Sequence, residues 1–218
     1  MLYLIATPIG DTREISLKAL ELLKNIELVI CESTKETSKL LRSHGISGKH
    51  FELLNEHSTP EDVKALATLC AKSDAILVSD CGTPGFCDPG AALIKVCRQK
   101  HIPIKSILGP SSLMGILALS GERLDQFLFR GFLPAENEAR QKSLIELQKE
   151  NRPIVLMDTP YRLKKTLTDL AEHFPKRRAL LALNLSQDSE TLLEGTGDRL
   201  LKELPVEKAE FMLLIYGV

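Results

Sequence analysis

The amino-acid sequence predicts an α/β protein of two domains, a mostly parallel doubly wound sheet followed by a mixed α/β sheet. Two observations lead to this prediction. In the first half of the chain, short apolar runs alternate with helical patterns, which is typical of parallel βαβ units. In the second half there are fewer helices per strand, which indicates antiparallel pairs in a mixed sheet. We place the two domains at residues 1–110 and 111–218.

The first half repeats an order of strand, polar loop and helix. Apolar runs predict strands at 2–6, 28–31, 51–54, 75–79 and 104–108, and helical spacing predicts helices at 17–23, 36–43, 60–71, 89–100 and 113–119. Ser16 and Thr59 are typical caps at helix starts, and Gly45 is typical of a helix end. The apolar face of the first helix is predicted to consist of Leu17, Leu20, Leu22 and Leu23.

The second half begins with an aromatic strand. Strands are predicted at 127–134, 153–157, 178–185, 190–195 and 211–216, and helices at 135–149, 163–174 and 198–204. Many Lys and Arg side chains lie between Arg130 and Arg178, interspersed with glutamates. We interpret these basic residues, Arg140 among them, as solvated helix faces.

The composition is that of a chain that folds unaided. Of its 218 residues, 44% are hydrophobic and 26% charged, which supplies both a core and a polar surface. The formal net charge of −1 argues against a general polyanion binder, because such binding needs an excess of Lys and Arg. Five cysteines without a C-x-x-C pair, and the lack of signal-peptide or membrane-length apolar patterns, predict a reduced cytoplasmic protein.

The stretch 75–90, AILVSDCGTPGFCDPG, is the strongest local signal for a ligand site. A buried strand ends at Asp80, and glycines and prolines follow until a helix begins at Pro89. We interpret Gly82 and Gly85 as letting a ligand approach the main chain, and Asp80 as its polar partner. The alternative is a surface turn capped by an aspartate.

Three more loops follow strands, at Pro8, Ser111 and Asp158. Ligands of open α/β sheets bind at the carboxyl ends of strands, so the four loops predict one ligand site in a cleft between the two domains. The sequence has neither a G-x-G-x-x-G fingerprint nor a P-loop lysine for this site. Cys81 and Cys87 lack the spacing of a zinc site, and no metal is predicted.

Five short motifs resemble, in their order along the chain, the signatures of the tetrapyrrole-methylase superfamily of S-adenosylmethionine-dependent methyltransferases. They are Thr7-Pro8-Ile9-Gly10, Val78-Ser79-Asp80-Cys81-Gly82-Thr83-Pro84, Asp88-Pro89-Gly90, Leu108-Gly109-Pro110-Ser111-Ser112 and Gly131-Phe132-Leu133-Pro134. They are most similar to the branch that methylates a cytidine ribose 2′-hydroxyl in small-subunit ribosomal RNA. The resemblance implies two α/β domains with the cofactor between them, and usually a homodimer.

The resemblance also implies which residues form the site. The residues implied to bind S-adenosylmethionine are Pro8, Asp80, Gly82, Thr83, Ser111, Ser112, Met157, Leu183 and Asn184. Glu32 and Lys35 are the candidate catalytic residues. For Met157 and Leu183, packing in the core is the alternative interpretation.

A ribose hydroxyl is a poor nucleophile, so a base or a strong hydrogen-bond acceptor is expected beside it. Glu32, Asp80 and Asp158 are the candidates. Glu32 ranks first for the acceptor side, and Asp158 is interpreted as a helix cap or a surface salt bridge. The pair Tyr161 and Arg162 opens a helix, and is interpreted either as a contact for a base and a phosphate or as a solvated helix start.

Four motifs depart from the ribosomal RNA branch. Glu32-Ser33-Thr34-Lys35 replaces Glu-Asp-Thr-Arg, Met157-Asp158-Thr159-Pro160-Tyr161-Arg162 replaces Tyr-Glu-Ser-Pro-His-Arg, Leu183-Asn184-Leu185-Ser186-Gln187 replaces Arg-Glu-Leu-Thr-Lys, and Lys208-Ala209-Glu210 replaces Lys-Gly-Glu. Two alternatives to an RNA methyltransferase therefore stay open. One is a methyltransferase that acts on a tetrapyrrole or another small molecule, and the other is a module that binds the cofactor without transferring its methyl group.

Overall fold

A parallel five-stranded sheet is the centre of the first of two units, Met1–Ser111, of the computed structural model, which describes residues 1–218. Its strands are β1 (Leu2–Ile5), β2 (Leu28–Cys31), β3 (His50–Leu53), β4 (Ala75–Leu77) and β5 (Ile104–Ile107), in the spatial order β3-β2-β4-β1-β5. Every neighbouring pair is parallel, so all five carboxyl ends lie at one edge of the sheet. The predicted parallel sheet is confirmed.

Helices cover both faces of this sheet. They are α1 (Leu17–Asn25), α2 (Thr34–Ser43), α3 (Pro60–Lys72) and α4 (Gly90–Gln99). Successive residues of β4 point to opposite faces: Leu77 packs in a cluster with residues of α3 and α4, and Ile76 in a cluster with residues of α1 and α2. Burial on both sides explains why the central strands β2 and β4 are unbroken apolar runs, whereas β3 and β5, at the two sides of the sheet, also carry polar residues.

Side-chain caps fix the starts of three helices of this unit, with Ser33 at the start of α2. The Ser16 hydroxyl accepts a hydrogen bond from the Ala19 amide at the start of α1, and Thr59 and Asp62 form a capping box at the start of α3. The prediction that Leu17 belongs to the buried face of α1 is wrong, because this side chain is 85% exposed. A turn of about 100° per residue places it opposite the buried stripe, which includes Leu22 and Leu23.

A mixed sheet forms the second unit, Ser112–Val218. Its strands are β6 (Leu128–Gly131), β7 (Ile154–Asp158), β8 (Ala179–Leu183), β9 (Thr191–Gly195) and β10 (Phe211–Ile215), in the order β6-β7-β10-β8-β9. Only β6 and β7 are parallel; the other pairs are antiparallel, which confirms the predicted mixed sheet. Because β10 runs against both neighbours, its start at Phe211 pairs with Asp158 at the end of β7 and with Leu183 at the end of β8.

The two faces of the second sheet are covered unequally. One face packs in a large cluster with residues of α6 (Asn137–Leu147), α7 (Leu163–His173) and α8 (Gly197–Glu203). The other carries a smaller cluster to which the short helix α5 (Ser112–Leu119) contributes. None of the helices is long and apolar enough to cross a membrane.

The aromatic strand is shorter than predicted. The prediction covered 127–134, whereas β6 ends at Gly131, where φ is +66° and the register with β7 shifts. A left-handed residue breaks the regular ladder, which explains why the pairing stops there.

Candidate functional site

The edge of the first sheet where its strands end, which we call the first-unit edge, carries the loops that contain the predicted site residues of this unit. Thr7 and Gly82 form an isolated antiparallel bridge, with N···O distances of 2.9 and 3.0 Å. The Thr7 hydroxyl also donates to the Ser79 carbonyl at 3.1 Å. This bridge joins the loop after β1 to the loop after β4. Pro8 follows Thr7 in the chain and Thr83 follows Gly82, so both predicted residues lie next to the bridge.

A carboxylate that the sequence analysis missed organises the loop after β4. The Asp88 carboxylate accepts hydrogen bonds from the amides of Gly85, Phe86 and Gly90, the shortest at 2.7 Å. A Cβ atom at Gly85 would lie 2.4 Å from Ile94 Cδ1, and φ there is +83°. The loop itself therefore requires glycine at position 85, whether or not a ligand approaches. An aspartate that directly precedes Pro89 and Gly90 at a helix start was the available signal.

Glu32 and Asp80 are joined across the ends of β2 and β4. The Asp80 amide donates to Glu32 Oε1 at 3.2 Å, and the Ser33 amide donates to the Asp80 carboxylate. Partial burial raises the pKa of both carboxyls. Nearby negative charges raise both pKa values further. The charges of Asp88 and Asp80 act on Glu32, and the charge of Glu36 acts on Asp80. The two hydrogen bonds act in the opposite direction. This edge therefore favours a ligand with positive charge or several hydrogen-bond donors.

The remaining predicted residues of this unit also lie near strand ends. Lys35 is exposed near the start of α2, close along the chain to Glu32. Ser111 follows β5, and Ser112 is the first residue of α5 in the second unit; both are half-buried. Leu108, directly after β5, is 81% exposed. An exposed apolar side chain at an edge that also carries carboxylates is suited to a ligand that has both an apolar part and polar groups.

In the second unit, three of the departing motifs meet where β7 and β8 end and β10 begins, which we call the second-unit edge. The Asn184 amide donates to the Glu210 carbonyl at 2.8 Å, and the Glu210 amide donates to Asn184 Oδ1 at 3.2 Å. Asn184 has φ +49°, a conformation that asparagine tolerates better than most residues. The antiparallel register of β10 is what joins these distant stretches.

Two predicted cofactor residues of this unit have side chains that pack on opposite faces of the sheet. Leu183 is 1% exposed and belongs to the large cluster, so its side chain is a core residue. Met157 is half-buried and packs against the smaller cluster on the other face. The Leu183 side chain is therefore not available to a ligand.

Asp158 is neither a surface salt bridge nor a helix cap, and this expectation is wrong. Its side chain is 1% exposed, and Oδ2 accepts a hydrogen bond from Arg140 Nη1 at 3.0 Å. Oδ1 accepts from the Thr159 amide and from Arg162 Nη1, at 2.8 and 3.2 Å. With both oxygens engaged and shielded from solvent, Asp158 is not placed to take a proton from a substrate hydroxyl, and it is removed from the candidate bases.

Arg140 is likewise not on a solvated helix face. It is fully buried and donates to Asp169 at 2.6 Å and to the Thr166 hydroxyl at 2.9 Å, besides Asp158. Partnered charges of this kind are the form in which arginine is tolerated inside a protein. Its spacing from Leu144 and Leu147, four and seven residues later in α6, puts it on the buried stripe and was the signal in the sequence.

Comparison with known proteins shows the family of this chain. A family described as Tetrapyrrole (Corrin/Porphyrin) Methylases matches residues 1–201. The chain belongs to this family. A Synechocystis relative named "Ribosomal RNA small subunit methyltransferase I" is 36% identical, over all of this chain and 79% of the relative. One of the same name from Neisseria meningitidis serogroup B is 34% identical, over 99% of this chain and 75% of the relative.

Solved structures show the same fold for this tetrapyrrole methylase family member. A diphthine synthase matches with a TM-score of 0.74 at 15% identity, covering 99% of this chain and 89% of that one. A uroporphyrin-III C-methyltransferase from Thermus thermophilus, solved with S-adenosylhomocysteine, matches with a TM-score of 0.68 at 15% identity, over 99% and 96%. At these identities the likeness establishes the fold.

Proposed function

We propose that this chain is an S-adenosylmethionine-dependent methyltransferase that methylates a cytidine ribose 2′-hydroxyl in 16S ribosomal RNA. The observation that carries the proposal is the match, over almost the whole chain, to relatives named as small-subunit ribosomal RNA methyltransferases. Family membership supports methyl transfer as the reaction class. The departing motifs at the second-unit edge leave the loop after β4 unchanged, although they include three of the proposed cofactor residues, Met157, Leu183 and Asn184.

The first-unit edge fits the cofactor chemically. S-adenosylmethionine carries a sulfonium, an ammonium and ribose hydroxyls, and when bound it supplies the methyl group. The Asp80 carboxylate can accept hydrogen bonds from these groups, and the neighbouring Glu32 carboxylate adds negative charge that favours the positive ones. The proposed cofactor residues are Pro8, Asp80, Gly82, Thr83 and Ser111 in the first unit and Ser112, Met157, Leu183 and Asn184 in the second. For Leu183 the contact is through the main chain, since its side chain is buried.

Glu32 is proposed as the hydrogen-bond acceptor for the ribose hydroxyl. Its pKa is raised by burial and by neighbouring carboxylates, which makes it a better proton acceptor than an ordinary glutamate. Lys35 is exposed in the first turn of α2, and we propose that it contacts a phosphate of the acceptor. Holding the hydroxyl oxygen in line with the methyl group is the main task left to the protein.

The test is transfer of labelled methyl groups to three acceptors: undermethylated small ribosomal subunits, naked 16S RNA and a tetrapyrrole precursor. We expect label in the subunits. Label in the tetrapyrrole alone would replace the proposal by a small-molecule methyltransferase. Cofactor binding without label in any acceptor would favour a binding module. Parallel digestion of the labelled RNA to nucleosides identifies 2′-O-methylcytidine.

We also propose a homodimer in the cytoplasm. The dimer is supported by the apolar helix α5, which exposes Met114 and Leu119, 61% and 40% respectively. Five free cysteines and a ribosomal substrate support the location. Light scattering during size-exclusion chromatography measures the mass directly. A monomer at micromolar concentration would contradict the dimer.

A further inference from the structure

An aromatic ring stands exposed at the second-unit edge beside a cation. Tyr161 is 80% exposed, and the Lys208 ammonium lies 3.6 Å from its ring centroid. The same ammonium lowers the pKa of the Tyr161 hydroxyl. An aromatic residue this exposed contributes little to the core, and its ring is accessible to a ligand.

Arg162, the next residue in the chain, is held by a buried carboxylate. Its Nη1 donates to Asp158 Oδ1 at 3.2 Å, and its side chain remains 33% exposed. Asp158 is in turn fixed by the buried Arg140. A guanidinium has five N–H donors, and the bond to Asp158 uses one of them. The side chain is thus ordered in advance, which reduces the entropy lost when it contacts a ligand.

The charges around Tyr161 are mixed. Glu207 and Glu210 flank Lys208 in the chain, and both are exposed. Net positive charge is therefore too small here for a general polyanion site. Affinity must come from the ring face together with a few directed contacts, which is the way proteins hold unpaired nucleotides.

We propose that Tyr161, Arg162 and Lys208 form a platform for one unpaired nucleotide of the RNA acceptor. The face of the Tyr161 ring that Lys208 does not cover stacks on the base, while Arg162 and Lys208 contact the phosphates on either side of it. The inference rests on the proposed function and adds the residues by which the second unit recognises RNA. It also assigns Arg140 and Asp158 as positioning residues, since they act on the nucleotide only through Arg162.

The test measures binding of undermethylated small ribosomal subunits to variants of the full chain. Tyr161→Ala is expected to weaken binding about 5- to 150-fold, the range for losing one base stack. Tyr161→Phe keeps the ring and is expected to bind like the wild type. Lys208→Ala and Arg162→Ala are each expected to reduce the slope of log affinity against log salt by about 0.7. Lys142→Ala is the matched control, because Lys142 is an exposed lysine of the same unit on α6.

Three outcomes would overturn the platform. If Tyr161→Ala binds subunits like Lys142→Ala while the wild type methylates them, the platform is wrong and the proposed function stands. If the wild type neither binds nor methylates subunits, both fail together. The third outcome comes from ultraviolet crosslinking of the wild-type complex. If the peptide that contains Tyr161 is crosslinked to a ribosomal protein and not to a nucleotide, the platform is wrong. Calorimetric affinity for S-adenosylmethionine in each variant shows that the first unit is intact.

Discussion

The first-unit and second-unit edges treat their carboxylates in opposite ways. At the first-unit edge, Glu32 and Asp80 lie near other acids, and the pKa of each is raised. At the second-unit edge, Asp158 is buried between two arginines. Uncompensated carboxylates keep their capacity to bind a cationic ligand, whereas compensated ones serve to fix other side chains. The same residue type is therefore available for ligand binding in one unit and for positioning in the other.

The largest expected effect is on stability, at the second-unit edge. Arg140→Ala leaves Asp158 and Asp169 buried without their partner, which is expected to lower the free energy of unfolding by about 3–5 kcal/mol. Urea denaturation measures the change. The control is Arg199→Ala, which removes an exposed pair with Glu203 and is expected to cost less than about 1 kcal/mol. If both variants lost the same free energy of unfolding, the buried pairs of Arg140 would contribute no more to stability than an exposed pair.

At the first-unit edge the large effect is on binding instead. Asp80→Ala is expected to weaken S-adenosylmethionine binding by about 1.5–3 kcal/mol, tenfold or more, with the protein still folded. Isothermal titration calorimetry measures the affinity, and circular dichroism the fold. Glu21→Ala, an exposed carboxylate on α1, is the control. Normal affinity in folded Asp80→Ala would remove Asp80 from the cofactor site.

Gly85→Ala tests whether the loop after β4 is built as described. A side chain at φ +83° beside Ile94 is expected to cost about 1–2 kcal/mol of stability. Gly121→Ala is the control. Position 121 also has a positive φ, but no atom lies within 4 Å of the added Cβ, so this variant measures the cost of the backbone conformation without the contact with Ile94. Thermal unfolding of both variants gives the comparison. A smaller loss at position 85 than at 121 would contradict the packing argument.

The smallest expected effect is a pH dependence of cofactor binding. A cationic ligand prefers Glu32 and Asp80 ionised, so its affinity should rise as pH increases through their raised pKa values, above the usual range near 4. Stability without ligand should change in the opposite sense. The folded state holds these protons more tightly than the unfolded state, so stability falls as pH rises from the unfolded to the folded pKa.

Glu32→Gln is the variant that tests this pH dependence. It removes the charge and keeps the oxygen that accepts from the Asp80 amide. Calorimetry and urea denaturation at several pH values should show both trends reduced in Glu32→Gln. Profiles identical to those of the wild type would show that Glu32 does not titrate with the ligand.

The fold was predictable because its signals are local. Unbroken apolar runs such as Leu28–Cys31, and caps such as Ser16, depend on neighbours in the chain. The burial of Arg140 was missed because a charged residue is ordinarily solvated, and only two distant aspartates make burial tolerable. The contact between Tyr161 and Lys208 depends on the register of β10. That register is set by pairing across the sheet and leaves no trace in either local segment.

The place of β10 in its sheet sets an order for folding during synthesis. The first unit has all five strands once the ribosome has passed Ile107, so its sheet can close early. The second unit cannot, because β10 lies between β7 and β8 and is the last of its strands to be made. Until Phe211–Ile215 emerges, two strand edges stay unpaired. A pause in translation before this strand would prolong the state in which unpaired strand edges invite aggregation.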